Sequence, residues 1–300
     1  MKNIKAFSTK THKTLKCPYC GTVSYADFLF YERNYYRCQS CSLIFAELKR
    51  ENEIDIGFYR DCYFDACSRD QLSEQRREIY GQILSLLEKF GKPGSLLDVG
   101  CGCGFFLKEA KIYGWQVTGI DPSRKSIDYA RSLIGEAALC GTMDDIPADH
   151  RFDAISMINV LDHMTDFRQQ LQKIHNLILP GGILYLRFPN GLFHSSLMCL
   201  LRKLSAERFI TDFLIFHEYV FTPKTIRRCL DDVGFIEIQV LNSPLTGGHI
   251  MIGGRALSMF IRKKLGRFTW FMFKIPEILS GGRWVWGPSL QIIARKGKGG

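Results

Sequence analysis

The sequence predicts an α/β protein: a mostly parallel sheet covered by helices on both faces, preceded by a small cysteine-rich module. Three observations carry this reading. From residue 95 onward, short apolar runs alternate with stretches of helical periodicity. Glycines at 100, 102 and 104 fall where the first of those runs gives way to its helix. Two Cys-x2-Cys pairs, Cys17/Cys20 and Cys38/Cys41, stand with 17 residues between them.

Composition sets the frame. The 300 residues are 46% hydrophobic and 23% charged, a mixture that buries a core and excludes a disordered chain. The net charge of +10 is unevenly placed. Residues 1–50 carry nine Lys/Arg against three Asp/Glu, residues 251–300 ten against one, and the middle 21 against 26. Basic ends around an acidic body suggest an anionic partner, or serve solubility alone. The basic N-terminus has no apolar core of a secretory signal, and no apolar run reaches the length of a membrane span. A cytoplasmic protein is expected, and in that reducing setting paired cysteines are metal ligands before they are disulfides.

In chain order, residues 1–16 read as a basic arm. Residues 17–45 hold the two cysteine pairs, and Gly21 permits the turn that aims backbone N–H groups at sulfur. Four thiolates at this spacing predict a zinc ribbon with ligands Cys17, Cys20, Cys38 and Cys41; iron has the same ligand taste. So short a segment buries little apolar area, and metal supplies its folding energy. After a linker, Ile79, Ile83, Leu86, Leu87 and Phe90 recur at helical spacing, and Gly91, Pro93 and Gly94 end that helix.

The alternating region follows. Strands are expected at 95–100, 116–121, 152–159, 181–190, 235–242 and 289–296, and helices at 105–114, 122–133, 167–178 and 222–234. Residues 256–275 break the beat. Leu257, Phe260, Ile261, Phe268, Phe271, Met272 and Ile275 share one helical face and the basic residues lie elsewhere. Such a helix covers a core or lies on a membrane surface.

The glycine loop sits at the carboxyl end of a parallel strand, where ligands bind in such sheets. Asp98 precedes it and Asp121 ends the next strand, placed to accept hydrogen bonds from two ribose hydroxyls. A nicotinamide or flavin site uses G-x-G-x-x-G, whereas residue 105 here is Phe. The G-x-G-x-G spacing with Asp98 in front suits a cofactor with a charged amino-acid tail. Cys101 and Cys103 are too close together for a zinc knuckle and fill the loop between the glycines.

These features resemble the class I S-adenosylmethionine-dependent methyltransferases. "LLDVGCGCGFFL" (96–107) is similar to their first motif and "GIDPS" (119–123) to their second. "GTMDDIP" (141–147) is similar to the segment beside the adenine, and "FDAISMINVLDHMTD" (152–166) and "LPGGILYLRFPN" (179–190) to the fourth- and fifth-strand motifs. The resemblance covers about two-thirds of the chain and implies a seven-stranded, mostly parallel, doubly wound Rossmann-like sheet. It implies that Asp98, Gly100, Gly102 and Gly104 hold the methionine part and Asp121 the ribose. Met143 and Asp144 then flank the adenine, Asn159 lines the sulfonium end, and Tyr59 and Tyr63 cover the cofactor. Many relatives carry Glu-His after the fourth strand, where this chain has Asp162-His163.

Methyl transfer from a sulfonium needs alignment, and a base when the acceptor is a hydroxyl or an acidic carbon. His163 and His217 are the candidate catalytic residues. The expected organisation is a basic arm and zinc ribbon (1–50), a linker and cap helix (51–92), and a methyltransferase domain (93–300) with a lid or amphipathic insertion within 191–288. The expected activity is methyl transfer from S-adenosylmethionine to a small-molecule or saccharide-like acceptor. The alternatives are an RNA methyltransferase gripping RNA with its ribbon and basic ends, and a non-catalytic binding protein. Peripheral contact with the inner membrane face through 256–275 is compatible with any of these.

Overall fold

The computed structural model describes residues 13–30, 33–47, 74–164, 166–204, 214–244, 251–252, 255–256 and 271–298. The chain begins with a small antiparallel sheet: β1 (Thr14–Lys16), β2 (Val23–Phe30), β3 (Arg33–Arg37) and β4 (Ile44–Ala46). Helix α1 (Glu74–Phe90) follows, with Ile79, Ile83, Leu84 and Leu87 buried on the face that its periodicity picks out.

The central unit then alternates as expected: β5 (Ser95–Val99), α2 (Phe105–Ile112), β6 (Gln116–Asp121), α3 (Arg124–Ile134), β7 (Ala138–Cys140), β8 (Phe152–Ile158), α4 (Phe167–Leu177) and β9 (Ile178–Pro189). Helix α5 (Gly191–Lys203), the two-residue strand β10 (Tyr219–Val220), α6 (Pro223–Val233) and β11 (Phe235–Asn242) come next. A short hairpin of β12 (Met251–Ile252) and β13 (Arg255–Ala256), a helix α7 over 271–279 and β14 (Ser289–Lys296) complete it.

The large sheet has the order β11-β14-β9-β8-β5-β6-β7. Neighbours from β9 through β7 are parallel, while β14 runs antiparallel to both β9 and β11. It is a seven-stranded mixed, Rossmann-like sheet in which β14 alone runs against the others. Its two faces carry separate cores. Helices α1, α2 and α3 cover Leu96, Ala154, Tyr185 and Ile293 on one side. On the other, α4 and α6 cover Leu97, Ile155, Met157 and Leu186, and the cysteine-rich module packs into that same core through Tyr19, Tyr36 and Phe45. Local chemistry sets the helix starts: Ser123, Asn190 and Thr222 each accept a backbone N–H from the first turn.

Three elements went unforeseen. Strand β7 and strand β10 are too short to show a period, and α5 occupies a stretch expected to serve only as a lid. Strand β10 pairs antiparallel with β4, Tyr219 opposite Phe45 and Val220 opposite Ile44. The first sheet therefore has five strands, the last contributed by the methyltransferase-type body. The arm at 1–12 and most of the predicted amphipathic stretch, 257–270, lie outside the described residues. Among the described residues no helix is long and apolar enough to cross a membrane. Helix α7 exposes Phe271, Met272, Ile275, Ile278 and Leu279.

The join between module and body rests partly on the buried Tyr35 hydroxyl, which donates to the Phe216 carbonyl at 3.0 Å. Tyr35→Phe leaves that carbonyl without its donor. A loss of about 1–2 kcal/mol is expected in urea denaturation, with no change in the slope of the transition.

Candidate functional site

The glycine loop leaves β5 and returns as α2, and its geometry explains the residue types. Gly100, Gly102 and Gly104 all have left-handed φ, at 72°, 52° and 74°. A Cβ on Gly100 meets Val160 Cγ2 at 2.4 Å, and one on Gly104 meets Ala130 Cβ at 2.9 Å. The loop is thus pressed between the segment after β8 and helix α3. Backbone N–H groups of Gly100 and Cys101 donate to the Ile120 carbonyl at 2.8 and 3.2 Å, fastening it to β6. Cys101 is buried against Gly119, where a Cβ would lie 2.8 Å from its Sγ. Both loop cysteines are buried fillers, as the sequence suggests.

Two carboxylates face the loop. Asp98, 3% exposed, accepts from Ser156 Oγ on β8 at 2.6 Å. Burial pushes its carboxyl up to about 7, against that hydrogen bond and with some help from Asp121. Asp121 accepts from the backbone N–H of Gly102 at 2.9 Å and of Ser123 at 2.8 Å. Burial also raises its carboxyl, opposed by those two donors. Two acidic groups held out of water beside a side-chain-free cradle fit a ligand bearing an amino group and hydroxyls.

Of the remaining sequence-predicted cofactor residues, Met143, Asp144 and Asn159 follow strands β7 and β8 at the same end of the sheet as the loop. Met143 is buried, while Asp144 is exposed and pairs with Lys173 on α4. Asn159 caps β8 in a left-handed conformation, φ 58°. Its N–H donates to the Arg187 carbonyl at 2.7 Å and its Oδ1 accepts from Arg187 Nη1 at 3.2 Å. Tyr59 and Tyr63 lie outside the described residues.

The loop after β8 and the segment before β10 bring the two histidines together. His163 and His217 have ring centroids 3.9 Å apart at 52°. His217 Nε2 lies 3.7 Å from Asp162 Oδ2, and His163 Nδ1 lies 3.6 Å from Glu218 Oε2. Asp162 is 2% exposed, and neither of its carboxylate oxygens has a hydrogen-bond partner. The His217 imidazole is its only counterpart at salt-bridge distance among the described residues. Burial works against charge on both rings, yet Glu218 and Asp162 hold His163 above its ordinary value. His217 stays below its own, because burial outweighs the pull of Asp162. Glu218 faces desolvation too, but His163 and Arg33 draw its carboxyl down to about 2. Neighbouring groups whose affinities for protons are pushed apart mark an acid–base site.

The four predicted ligand cysteines also converge: the sulfurs of Cys17, Cys20, Cys38 and Cys41 all lie within 4.8 Å of one another. Cys17 Sγ and Cys41 Sγ are 3.6 Å apart, and Cys20 Sγ and Cys38 Sγ 3.4 Å. Each pair is followed by a left-handed residue, Gly21 at φ 73° and Ser42 at φ 65°. In both turns the N–H of that residue donates to the carbonyl of the first cysteine at 2.9 Å. The matching Cys-x2-Cys spacing announces both turns, but the left-handed Ser42 of the second has no glycine to signal it.

Sequence reasoning missed Ser156, Arg187, Glu218 and Arg33. A signal existed for two of them: Ser156 and Arg187 are polar interruptions in apolar strands, and both are buried. For Arg33 and Glu218, 185 residues apart, there was none.

A family model described as "Methyltransferase domain" matches residues 72–240, more than half of the chain. The chain belongs to the methyltransferase-domain family. Among related methyltransferases, the ubiquinone biosynthesis O-methyltransferase of Rhodopseudomonas palustris (strain HaA2) is 32% identical over 144 residues, 46% of this chain and 51% of that protein. The O-methyltransferase resE of Aspergillus sclerotiorum is 31% identical over 138 residues, 43% of this chain and 50% of its own length. The chain thus spans about half the length of the curated relatives it matches. In fold it is similar to the magnesium protoporphyrin IX methyltransferase of Synechocystis PCC 6803, crystallised with SAH, at TM-score 0.53 and 14% identity. The match covers 81% of this chain and 98% of that one. A SAM-dependent methyltransferase from Archaeoglobus fulgidus gives TM-score 0.51 at 18% identity, covering 79% of this chain and all of that one.

The buried Asp98 gives this methyltransferase-family fold a pH dependence with a defined sign. Its carboxyl stands near 7 in the folded chain against an ordinary 3.8, so its contribution to stability is complete below about pH 3.8 and is lost as the pH rises through about 7. Asp98→Asn is expected to gain stability relative to the unsubstituted protein between pH 5 and 8, read from paired urea melts across that range. A constant offset between the two proteins refutes the account.

Proposed function

We propose that this protein transfers a methyl group from S-adenosylmethionine to an oxygen of a small, saccharide-like acceptor. The observation that carries the reading is the side-chain-free glycine loop held between two buried carboxylates. In this reading Asp98, Gly100, Gly102 and Gly104 hold the methionine part and Asp121 the ribose. Met143 and Asp144 take the adenine, and Asn159 faces the sulfonium end. When bound, S-adenosylmethionine supplies a methyl group already activated on sulfur.

The chain's own residues then orient the acceptor and accept its proton. The His163–His217 pair stands beyond the same strand end as the loop, since Leu161–His163 directly follow β8 and Val160 packs on Gly100. One imidazole of the pair takes the hydroxyl proton, and the Asp162 carboxylate beside His217 stabilises the imidazolium formed. Both rings are partly withdrawn from water, which strengthens that electrostatic contribution. The names of the relatives, O-methyltransferases, support oxygen as the acceptor atom.

The cysteine tetrad holds zinc in this reading. A tetrahedral ion with Zn–S bonds near 2.3 Å sets its sulfurs about 3.8 Å apart, and the two measured separations of 3.6 and 3.4 Å fit that with a small expansion. The hydrogen bond between Cys17 and Cys41 draws the Cys17 thiol down to about 5 despite burial and pushes that of Cys41 up, so the two share one proton, which a metal would displace. The domain scheme of ribbon, linker and helix, and methyltransferase body supports the same picture: the ribbon covers the face that carries His217.

Calorimetry with S-adenosylmethionine tests the central claim. One site per chain is expected, weakened at least tenfold by Asp121→Ala or Gly100→Val, and absence of binding to the folded protein rejects it. Plasma mass spectrometry is expected to find one zinc per chain, lost in Cys17→Ser; iron in its place, or zinc kept by the variant, overturns the metal assignment. In an acceptor screen, His163→Gln and His217→Gln are each expected to lower turnover by roughly 10²–10⁴.

A further inference from the structure

The cysteine-rich module reaches into the histidine pair through one side chain. Arg33, on β3, places Nη1 3.0 Å from Glu218 Oε1. The other oxygen of that carboxylate faces His163 Nδ1 at 3.6 Å. The ring of His163 lies against that of His217, which in turn faces Asp162. Four links thus run from the first sheet to the floor of the site, through a guanidinium, a carboxylate, two imidazoles and a second carboxylate.

The backbone around Glu218 is held from the same side. Its carbonyl accepts from the Ala46 N–H at 2.9 Å, and Tyr35 fixes the Phe216 carbonyl on the other flank of His217. Strand β10 then continues the sheet beyond Glu218. Arg33 Nε is buried with no hydrogen-bond partner, so the guanidinium gives up a donor to stand in this position. An ordinary surface pair carries no such cost and adjoins no second titratable group.

We propose that Arg33 is a positioning residue for methyl transfer: by gripping one oxygen of Glu218 it presents the other to His163 and fixes the closely packed histidine pair. The proposal rests on the reading of that pair as the base. The charged groups facing the pair among the described residues are Asp162, Glu218 and Arg33, with Arg187 acting on Asp162 from β9. Removal of Arg33 leaves the two carboxylates less compensated, so the pair holds its proton to higher pH. Removal of the Glu218 charge acts in the opposite sense. A residue that only braced the fold would not produce shifts of opposite sign.

The test follows the imidazole nitrogens of the full-length protein, with its metal, by long-range proton–nitrogen spectra across pH. The chain has seven histidines, and His163→Gln and His217→Gln assign the two signals. Arg33→Met is expected to raise the midpoints of the pair by roughly half a unit to one unit, and Glu218→Gln to lower them by a similar amount. Arg33→Lys, which keeps the charge, is expected to stay close to the unsubstituted protein. Midpoints unmoved in Arg33→Met, or moved the same way in both variants, overturn the proposal. Should Arg33→Met melt early, Arg33→Gln replaces it and the Glu218→Gln arm stands on its own. The base assignment fails separately: if His163→Gln and His217→Gln keep full methyl transfer to the acceptor found in the screen, it falls, whatever the midpoints do.

Discussion

Two residues of β-strand anchor the histidine side of the candidate site. Tyr219 and Val220 pair with Phe45 and Ile44, and that pairing joins a sheet made by residues 14–46 to a body made by residues 74–296. The pairing satisfies the backbone of a segment that would otherwise cross the surface without partners. It also fixes the two residues ahead of it, His217 and Glu218, whose side chains meet others from the loop after β8. Fold and chemistry depend on the same few hydrogen bonds.

The cofactor side is built on a different principle. There the constraint is steric. The loop between β5 and α2 approaches α3 and Val160 so closely that side chains are excluded at two of its positions. Its backbone takes conformations that only glycine adopts cheaply. The buried carboxylates at 98 and 121 are tolerated because each has donors in reach, a hydroxyl for one and two backbone amides for the other. One half of the site is thus set by a close-packed glycine backbone, and the other by the docking of one sheet edge on another.

That division explains what the sequence made legible. Strands β5, β6, β11 and β14 were readable because apolar residues run or alternate through each, and an aspartate stands next to last in β5 and last in β6. The glycine spacing and the cysteine spacing are local signals, and both point at residues that the fold gathers. Strand β10 has two residues and no period, and Ser42 adopts its turn without a glycine to announce it. The meeting of Arg33 with Glu218 depends on the docking of one sheet edge against another, which no local window contains. His163 and His217 were both picked out by chemistry, but their 3.9 Å approach is a product of that docking.

The position of β14 bears on how the chain is made. It lies between β9 and β11 and runs against both, so β11 has no partner in the sheet until residues 289–296 have left the ribosome. Until then β9 presents an open edge along most of its length, Ile183 to Pro189, and apolar Leu184, Leu186 and Phe188 lie beside the gap. Synthesis at about 5–20 residues per second leaves that edge waiting for several seconds after β9 is complete. The nascent chain is therefore most exposed to mispairing in this interval, and a chaperone that shields bare strand edges has its natural substrate here.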